Sequence, residues 1–210
     1  MSRLHLAGPR LDEWLAARLT DPARIAIVRR LAREPVYRIL GRRDFYGLDL
    51  ALSEGTLEPR PDTEILVDVI LPHLRSMVAA GLKPKIVDLG TGTGAIALAL
   101  LQECPEAEAM GIDISEDALK TAAANAERNG LSSRFTTRAG PWFARTFERF
   151  DLIISNPPYI RSDVVVGLEP EVTNFDPMAA LDGGADGLEA YRAIAAEALE
   201  LIRAEPAEGQ

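Results

Sequence analysis

The chain has 210 residues, is 47% hydrophobic and carries a net charge of −9 at neutral pH. That is enough apolar material for one sizeable core with a small appendage, and the wrong sign for an autonomous nucleic-acid binder, whose affinity rests on neutralising phosphates. One cysteine, Cys104, and two histidines, His5 and His73, exclude a disulfide framework and a zinc site of His and Cys ligands, so no metal is expected.

No apolar run reaches the ~18 residues of a membrane span, and Met1-Ser2-Arg3-Leu4-His5 has no signal-peptide core, so a soluble, cytoplasmic monomer is expected. Charge is segregated: residues 1–45 hold ten arginines against five acids, and the remainder thirteen basic residues against twenty-seven acids. A basic extension on an acidic body is either a solvated helix face or a contact for an acidic partner or RNA.

In chain order, Leu11 to Leu19 and Pro22 to Arg33 read as two short helices, the second with Asp21 as N-cap, Pro22 at its first position and Ile25, Val28, Leu31 and Ala32 at helical spacing. Trp14 is expected to anchor their packing. Arg38 to Leu52 shifts to strand-like alternation, with Gly41 and Gly47 as bends of a hairpin. Leu57 to Glu64 follows, two prolines bracketing Arg60, with Asp62 placed to cap a helix whose apolar stripe is Leu66, Val69 and Ile70 and which Pro72 should end or kink near Leu71. This turn is either a capped linker or a segment across the mouth of a cofactor pocket.

From Lys85 onward strand and helix alternate, as a doubly wound parallel sheet requires. Lys85 to Leu89 runs into Gly90-Thr91-Gly92-Thr93-Gly94 and a helix from Ala95 to Gln102. Alternating glycines let the backbone turn sharply and approach a ligand, and the N–H groups opening the next helix attract a negative group. The next strand, Ala109 to Ile114, ends in Asp113, an acid placed to accept two ribose hydroxyls. Ser115 caps a helix reaching Asn129, and a short strand, Arg134 to Arg138, leads to Gly140-Pro141-Trp142-Phe143, where Trp142 is either an adenine cover or a core aromatic.

The strand Phe150 to Ser155 stops at Asn156-Pro157-Pro158-Tyr159. The prolines remove two donors, leaving the carbonyls of Asn156 and Pro157 free to accept hydrogen bonds from a planar NH₂ group resting on Tyr159; by itself the tetrapeptide reads equally as a turn. A loop to Gly187 and a helix from Leu188 to Arg203 follow, and the last seven residues offer no strand to cover the sheet edge. Glycine loop, acidic strand end and Asn-Pro-Pro-Tyr together look like an S-adenosylmethionine-dependent methyltransferase acting on a planar nitrogen.

Phe45-Tyr46-Gly47-Leu48, Pro59-Arg60-Pro61-Asp62-Thr63-Glu64, Asp88 to Gly94, Asn156 to Tyr159 and Leu181 to Tyr191 resemble the HemK family, the N5-glutamine methyltransferases of class-1 peptide release factors. The likeness covers about residues 34–203. Asn-Pro-Pro-Tyr is shared with adenine methyltransferases; its combination with Arg-Pro-Asp-Thr-Glu is the more specific mark. The resemblance implies a Rossmann-like α/β methyltransferase sheet, S-adenosylmethionine as cofactor and a release factor as protein partner. It implies that Gly90, Thr91, Gly92, Thr93 and Gly94 contact the methionine part, Asp113 the ribose and Trp142 the adenine surroundings. Asn156, Pro157, Pro158 and Tyr159 would hold the substrate glutamine, with Asn156, Pro157 and Tyr159 catalytic and Asn156 also beside the cofactor.

The division this implies is a helical segment at 1–36, a hairpin linker at 37–60 and a methyltransferase domain at 61–210, shortened at both ends relative to the family. Pro141 stands where the family often has an acid. The rival readings are an N6-adenine DNA or RNA methyltransferase, and an inactive fragment.

Overall fold

A computed structural model describes residues 22–143, 146 and 148–201. The helix expected at Leu11 to Leu19, its anchor Trp14 and the Asp21 cap lie outside them. The described chain opens with α1 (Pro22–Leu31) and α2 (Val36–Leu40), then the antiparallel hairpin β1 (Arg42–Phe45) and β2 (Leu48–Ala51). The strand-like alternation expected from Arg38 begins only at Arg42, because Arg38 to Leu40 are helical. The cause is tertiary: as part of a helical turn, the Arg38 side chain is buried and donates to the carbonyls of Ser53 and Thr56 and to Asp176, while Gly41, at φ 69°, ends the turn and releases the chain into the hairpin.

A 3₁₀ turn, Pro61–Thr63, leads into α3 (Glu64–Ala79). The cap expected from Asp62 is absent: no side chain caps this helix, since the 3₁₀ turn supplies its first bonds. Of the two outcomes expected at Pro72, an end or a kink, the helix does not end there. A proline in a helix interior costs about 3 kcal/mol. Val67 and Leu71 before it and Leu74 after it are all buried, and each such burial contributes roughly 2 kcal/mol, so packing on both sides of the proline holds the helix together. Val69, placed in the stripe by spacing, is 69% exposed; the buried face runs through Val67 instead.

The body is a parallel sheet of β3 (Lys85–Leu89), β4 (Glu108–Asp113), β5 (Phe135–Ala139) and β6 (Leu152–Ser155), in the order β5-β4-β3-β6. Between them run α4 (Ala95–Glu103) and α5 (Glu116–Arg128). Ser115 caps α5 as expected, its Oγ accepting the Ala118 N–H at 3.2 Å. After β6 come two single-turn helices, α6 (Ser162–Val165) and α7 (Pro170–Thr173), and then α8 (Glu189–Leu201).

Successive residues of β3 face opposite ways, as the period of two requires. Ile86 joins one core with Phe45, Leu48 and Leu50 of the hairpin, Leu74 of α3 and the wholly buried run Ala95 to Leu101 of α4. Val87 and Leu89 join a second with Met110, Ile112, Phe143 and Phe150, against which Trp142, Ile194 and Ala198 pack. The hairpin is thereby part of the main core. Asn125, fully buried on α5, ties it down: its Oδ1 accepts the Ala51 N–H at 2.7 Å and its Nδ2 donates to the carbonyls of Ala51 and, at 2.9 Å, Thr93.

The chain proceeds from β3 outward through β4 to β5 and then returns to the other side of β3 as β6. Strand order therefore reverses between β3 and β6, and ligands of open parallel sheets bind in the crevice at such a reversal, beyond the carboxyl ends of the strands.

Among the described residues of the basic N-terminal segment, Arg29 pairs with Glu34, Arg33 with Glu169 and Glu171, Arg38 with Asp176, and Arg43 with Glu58. Of the two sequence readings, a solvated face and a partner contact, neither describes Arg38, which is buried, or Arg43, which is largely covered; both are held by acids of the same chain.

Asn125→Ala leaves the Ala51 N–H and the Thr93 carbonyl without partners inside the fold. A loss of about 3 kcal/mol in urea unfolding is expected, against about 1 kcal/mol for Ser115→Ala at the exposed start of the same helix.

Candidate active site

Four loops meet at the carboxyl rim of the sheet, and strand register decides which residues they bring together. Leu89 of β3 pairs with Ser155 of β6 on one side and Ile112 of β4 on the other, and Asp113 pairs with Ala139 of β5. Asn156, Gly90, Asp113 and Ala139 thus line up across four strands, a span of about 14 Å at the usual interstrand spacing, and Gly140 follows directly. The Ser155 hydroxyl donates to the Leu89 carbonyl at 2.7 Å and braces the two central loops against each other. Ser155 carried no motif signal in the sequence.

The glycine loop is held by its backbone. Gly90 and Thr91 donate to the Ile112 carbonyl at 2.8 and 3.0 Å, Gly92 donates to Asp113 Oδ2 at 2.9 Å, and the Thr91 hydroxyl donates to Asp88 Oδ2 at 2.8 Å. Gly90 and Gly92 stand at φ 71° and 55°, where a side chain is strained, and a Cβ added to either meets no atom within 4 Å. They border open space, as a ligand-facing cradle requires. Asp113 accepts the Gly92 and Ser115 N–H groups, one on each oxygen, and each oxygen keeps a lone pair for a further donor.

Asp88 is buried, and its Oδ1 has no partner in hydrogen-bond geometry among the described residues. Burial pushes its carboxyl up to about 6, partly countered by the Thr91 hydroxyl and the Ala97 amide, with the neighbouring Asp113 charge adding to the rise. Glycines bordering open space and an acid with spare acceptor capacity at the next strand end fit a ligand that brings hydroxyls.

Trp142 sits at φ 36°, half-buried, with its ring packed on the Val87, Leu89 and Phe143 side of the sheet. The ring packs on that core with part of the side chain left at the surface, an arrangement compatible with either of its two sequence readings. Among the described residues no group of three or more His, Cys, Asp or Glu could hold a metal ion.

At the end of β6, Asn156 is exposed, Pro157 buried, Pro158 half-buried and Tyr159 59% exposed. No backbone N–H of the described residues donates to the carbonyls of Asn156 or Pro157. The Asn156 amide donates from Nδ2 to Thr63 Oγ1 at 3.3 Å, which turns its Oδ1 to the role of acceptor. Asn156, Pro157 and Tyr159 line a cavity of about 410 Å³ together with Arg60, Asp62, Thr63 and apolar residues including Leu66, Leu168 and Leu181. The Pro59 to Glu64 turn therefore meets the amide clamp rather than the glycine loop, whose residues do not line this cavity. Thr63 is the functional candidate the sequence reading missed. It stands in the Arg-Pro-Asp-Thr-Glu element, which marked the turn without marking the residue.

Beneath the clamp lies the segment Leu181 to Gly187. Ile160 and Asp182 form a parallel bridge, with Ile160 N–H donating to Leu181 O at 3.0 Å and Gly183 N–H to Ile160 O at 2.8 Å. A Cβ at Gly183 would lie 2.7 Å from Tyr159 Cα and 2.8 Å from the Pro158 oxygen, closer than side chains tolerate. Gly183, and Gly187 against the Tyr159 oxygen, are thus spacers that let two backbones touch.

A family model described as the methyltransferase small domain matches residues 63–168. The release factor glutamine methyltransferase of Agrobacterium fabrum is 63% identical over 180 residues, covering 85% of this chain and 62% of that protein. Those of Gloeobacter violaceus and Bordetella pertussis are each 41% identical, covering 96% and 91% of this chain and 68% and 72% of theirs. The chain spans about three fifths of the length of several of the curated relatives it matches. Among solved structures, the human Mettl16 catalytic domain in complex with a MAT2A 3′UTR hairpin superposes with a TM-score of 0.59 at 18% identity, covering 80% of this chain and 64% of that one. A human methyltransferase 10 domain containing protein does so at 0.53 and 16%, covering 89% and 78%. At that identity these two show the fold.

Two predictions follow from the geometry. Gly183→Ala should force the Pro158-Tyr159 backbone apart from its support and cost about 2 kcal/mol of stability in denaturant unfolding, whereas Gly81→Ala, which meets open space at φ 82°, should cost about 1 kcal/mol. Asp88 has a folded-state value above its ordinary 3.8, so the folded chain holds a proton that the unfolded chain has released between about pH 4 and 6. Its contribution to stability falls as pH rises through that window and stays lost above it, on the order of 2 kcal/mol. The stability difference between Asp88→Asn and the parent chain should therefore grow in favour of Asn from pH 4 to 7; a flat difference contradicts the assignment.

Proposed function

The chain belongs to the release factor glutamine methyltransferase family, and from that membership we propose that it transfers a methyl group from S-adenosylmethionine to the side-chain amide nitrogen of a glutamine in a class-1 peptide release factor. The observation that carries this reading is the pairing of Leu89 with Ser155, which sets a glycine cradle beside an amide clamp at the reversal of strand order.

On this reading Gly90 to Gly94 would hold the methionine part of the cofactor, with the first N–H groups of α4 as donors for its carboxylate, Asp113 would take the ribose hydroxyls and Trp142 would border the adenine. When bound, S-adenosylmethionine supplies a methyl group already activated by sulfonium charge and leaves as the neutral thioether.

The work left to the protein is orientation. An amide nitrogen is a poor nucleophile because its lone pair is delocalised into the carbonyl. Asn156 Oδ1 and the Pro157 carbonyl accept its two N–H bonds, fix its plane and favour the positive charge that develops as the N–C bond forms; its surplus proton then leaves along one of these hydrogen bonds toward solvent. Thr63 keeps the Asn156 amide from rotating, and Tyr159 presents a flat face to the planar group.

Purified protein given S-adenosylmethionine and a choice of release factor, ribosomal protein or DNA should place one methyl on a release-factor glutamine, located by mass spectrometry. Asn156→Ala should lower turnover at least ~100-fold while leaving the dissociation constant for S-adenosylmethionine within about tenfold. Wild-type turnover on DNA with none on release factor overturns the proposal.

A further inference from the structure

Among the described residues lining the Asn156 cavity, Arg60 is the single cation. Its Nη2 donates to Asp176 Oδ2 at 2.9 Å, and its remaining N–H donors have no partner among the described residues. The side chain is 46% exposed, whereas that of Asp176 is 2% exposed. The other oxygen of Asp176 accepts from Arg38 at 2.7 Å, and the Arg38 side chain is itself only 7% exposed and anchored on the carbonyls of Ser53 and Thr56.

A buried carboxylate held on one side by a buried guanidinium is a fixed mount for the second guanidinium. One carboxylate shared between two arginines neutralises Arg60 only in part, and Asp62 is the other charged residue among the described residues of the lining. Among the described residues no acid other than Asp176 pairs with Arg60, and Asp62, the acid of the cavity lining, makes no ion pair.

We propose that Arg60 binds the main chain of the substrate segment that carries the target amide, and that Asp176 is the positioning residue that aims it. This rests on the amide-methyltransferase reading above and deepens it, by naming what grips the substrate beyond the amide itself. A guanidinium fixed at one edge presents its other edge as a rigid fork, which suits the carbonyl oxygens of an extended peptide. The clamp at Asn156 and the fork at Arg60 line the same cavity, so a peptide whose glutamine enters the clamp brings its backbone to the wall where Arg60 stands. Gripping the substrate there acts equally on the ground state and the transition state, so the contact is read in KM.

The experiment measures steady-state methylation of intact release factor by the wild type, Arg60→Ala, Arg60→Lys, Asp176→Asn and the double variant Arg60→Ala/Asp176→Asn, with the affinity for S-adenosylmethionine determined in parallel by calorimetry. Arg60→Ala should raise KM for release factor about tenfold or more, with kcat within about threefold and cofactor affinity within about twofold. Arg60→Lys should recover only part of this, because an ammonium keeps the charge and loses the fork. Asp176→Asn should raise KM in the same sense, and the double variant should be no worse than Arg60→Ala alone, since the positioning residue has nothing left to position.

An unchanged KM in Arg60→Ala overturns the proposal, as does a double variant whose KM is the product of the two single effects. Loss of cofactor affinity in Asp176→Asn assigns it a merely structural role and overturns its part. If the wild type methylates no release factor, the functional reading falls and takes this proposal with it; if the wild type methylates and only the variants behave otherwise, this proposal alone falls.

Discussion

The pairing of β6 with β3 is the constraint on which the site depends. Both strands run the same way, and Leu89 stands opposite Ser155, so the loops that follow emerge side by side from neighbouring strands. A slip of one residue would turn Ile154, buried on the hairpin side of the sheet, toward the opposite core and carry Asn156 away from Gly90. Register is therefore enforced by burial on both faces of the sheet. The Ser155 hydroxyl adds a side-chain bond at the position where the ladder ends. The adjacency of cradle and clamp is thus inherited from the core.

The clamp has little rigidity of its own. It consists of four residues, two of them prolines, with no N–H from the described residues reaching the first two carbonyls. Its position comes from three sides: β6 behind it, the Leu181 to Gly187 segment beneath it, and the 3₁₀ turn Pro61–Thr63 across from it. Prolines that cannot donate and glycines that admit a neighbouring backbone serve one end, a pair of carbonyls kept unengaged yet immobile.

The parallel sheet and its loops were legible because their signals are local. Gly90 to Gly94, the acid at Asp113 and the Ser115 cap each act within a few residues of where they stand, and apolar strands between glycine-rich turns announce a doubly wound sheet. The rest falls where a distant partner decides. Arg38 to Leu40 alternate like a strand but coil, because Arg38 must reach Asp176, 138 residues away. Pro72 is tolerated because Val67, Leu71 and Leu74 are pinned by a core assembled from other parts of the chain. Thr63 could be recognised only from its meeting with Asn156, 93 residues on, and the same is true of Arg60 with Asp176. Trp142 stayed undecided between two readings because an exposed ring and a packed ring share one letter in the sequence.

The start of α3 faces two ways. Glu64 accepts the Tyr46 N–H at 2.9 Å and the Tyr46 hydroxyl donates to Asp68 at 2.8 Å, so the hairpin turn is moored to the same helical turn whose Thr63 touches Asn156. The glycine cradle, by contrast, hangs from β4 through Ile112 and Asp113. Yet Asn125 joins the hairpin at Ala51 to the same glycine loop at Thr93, so a displacement of the hairpin is felt at both loops of the rim, through α3 on one side and through α5 on the other.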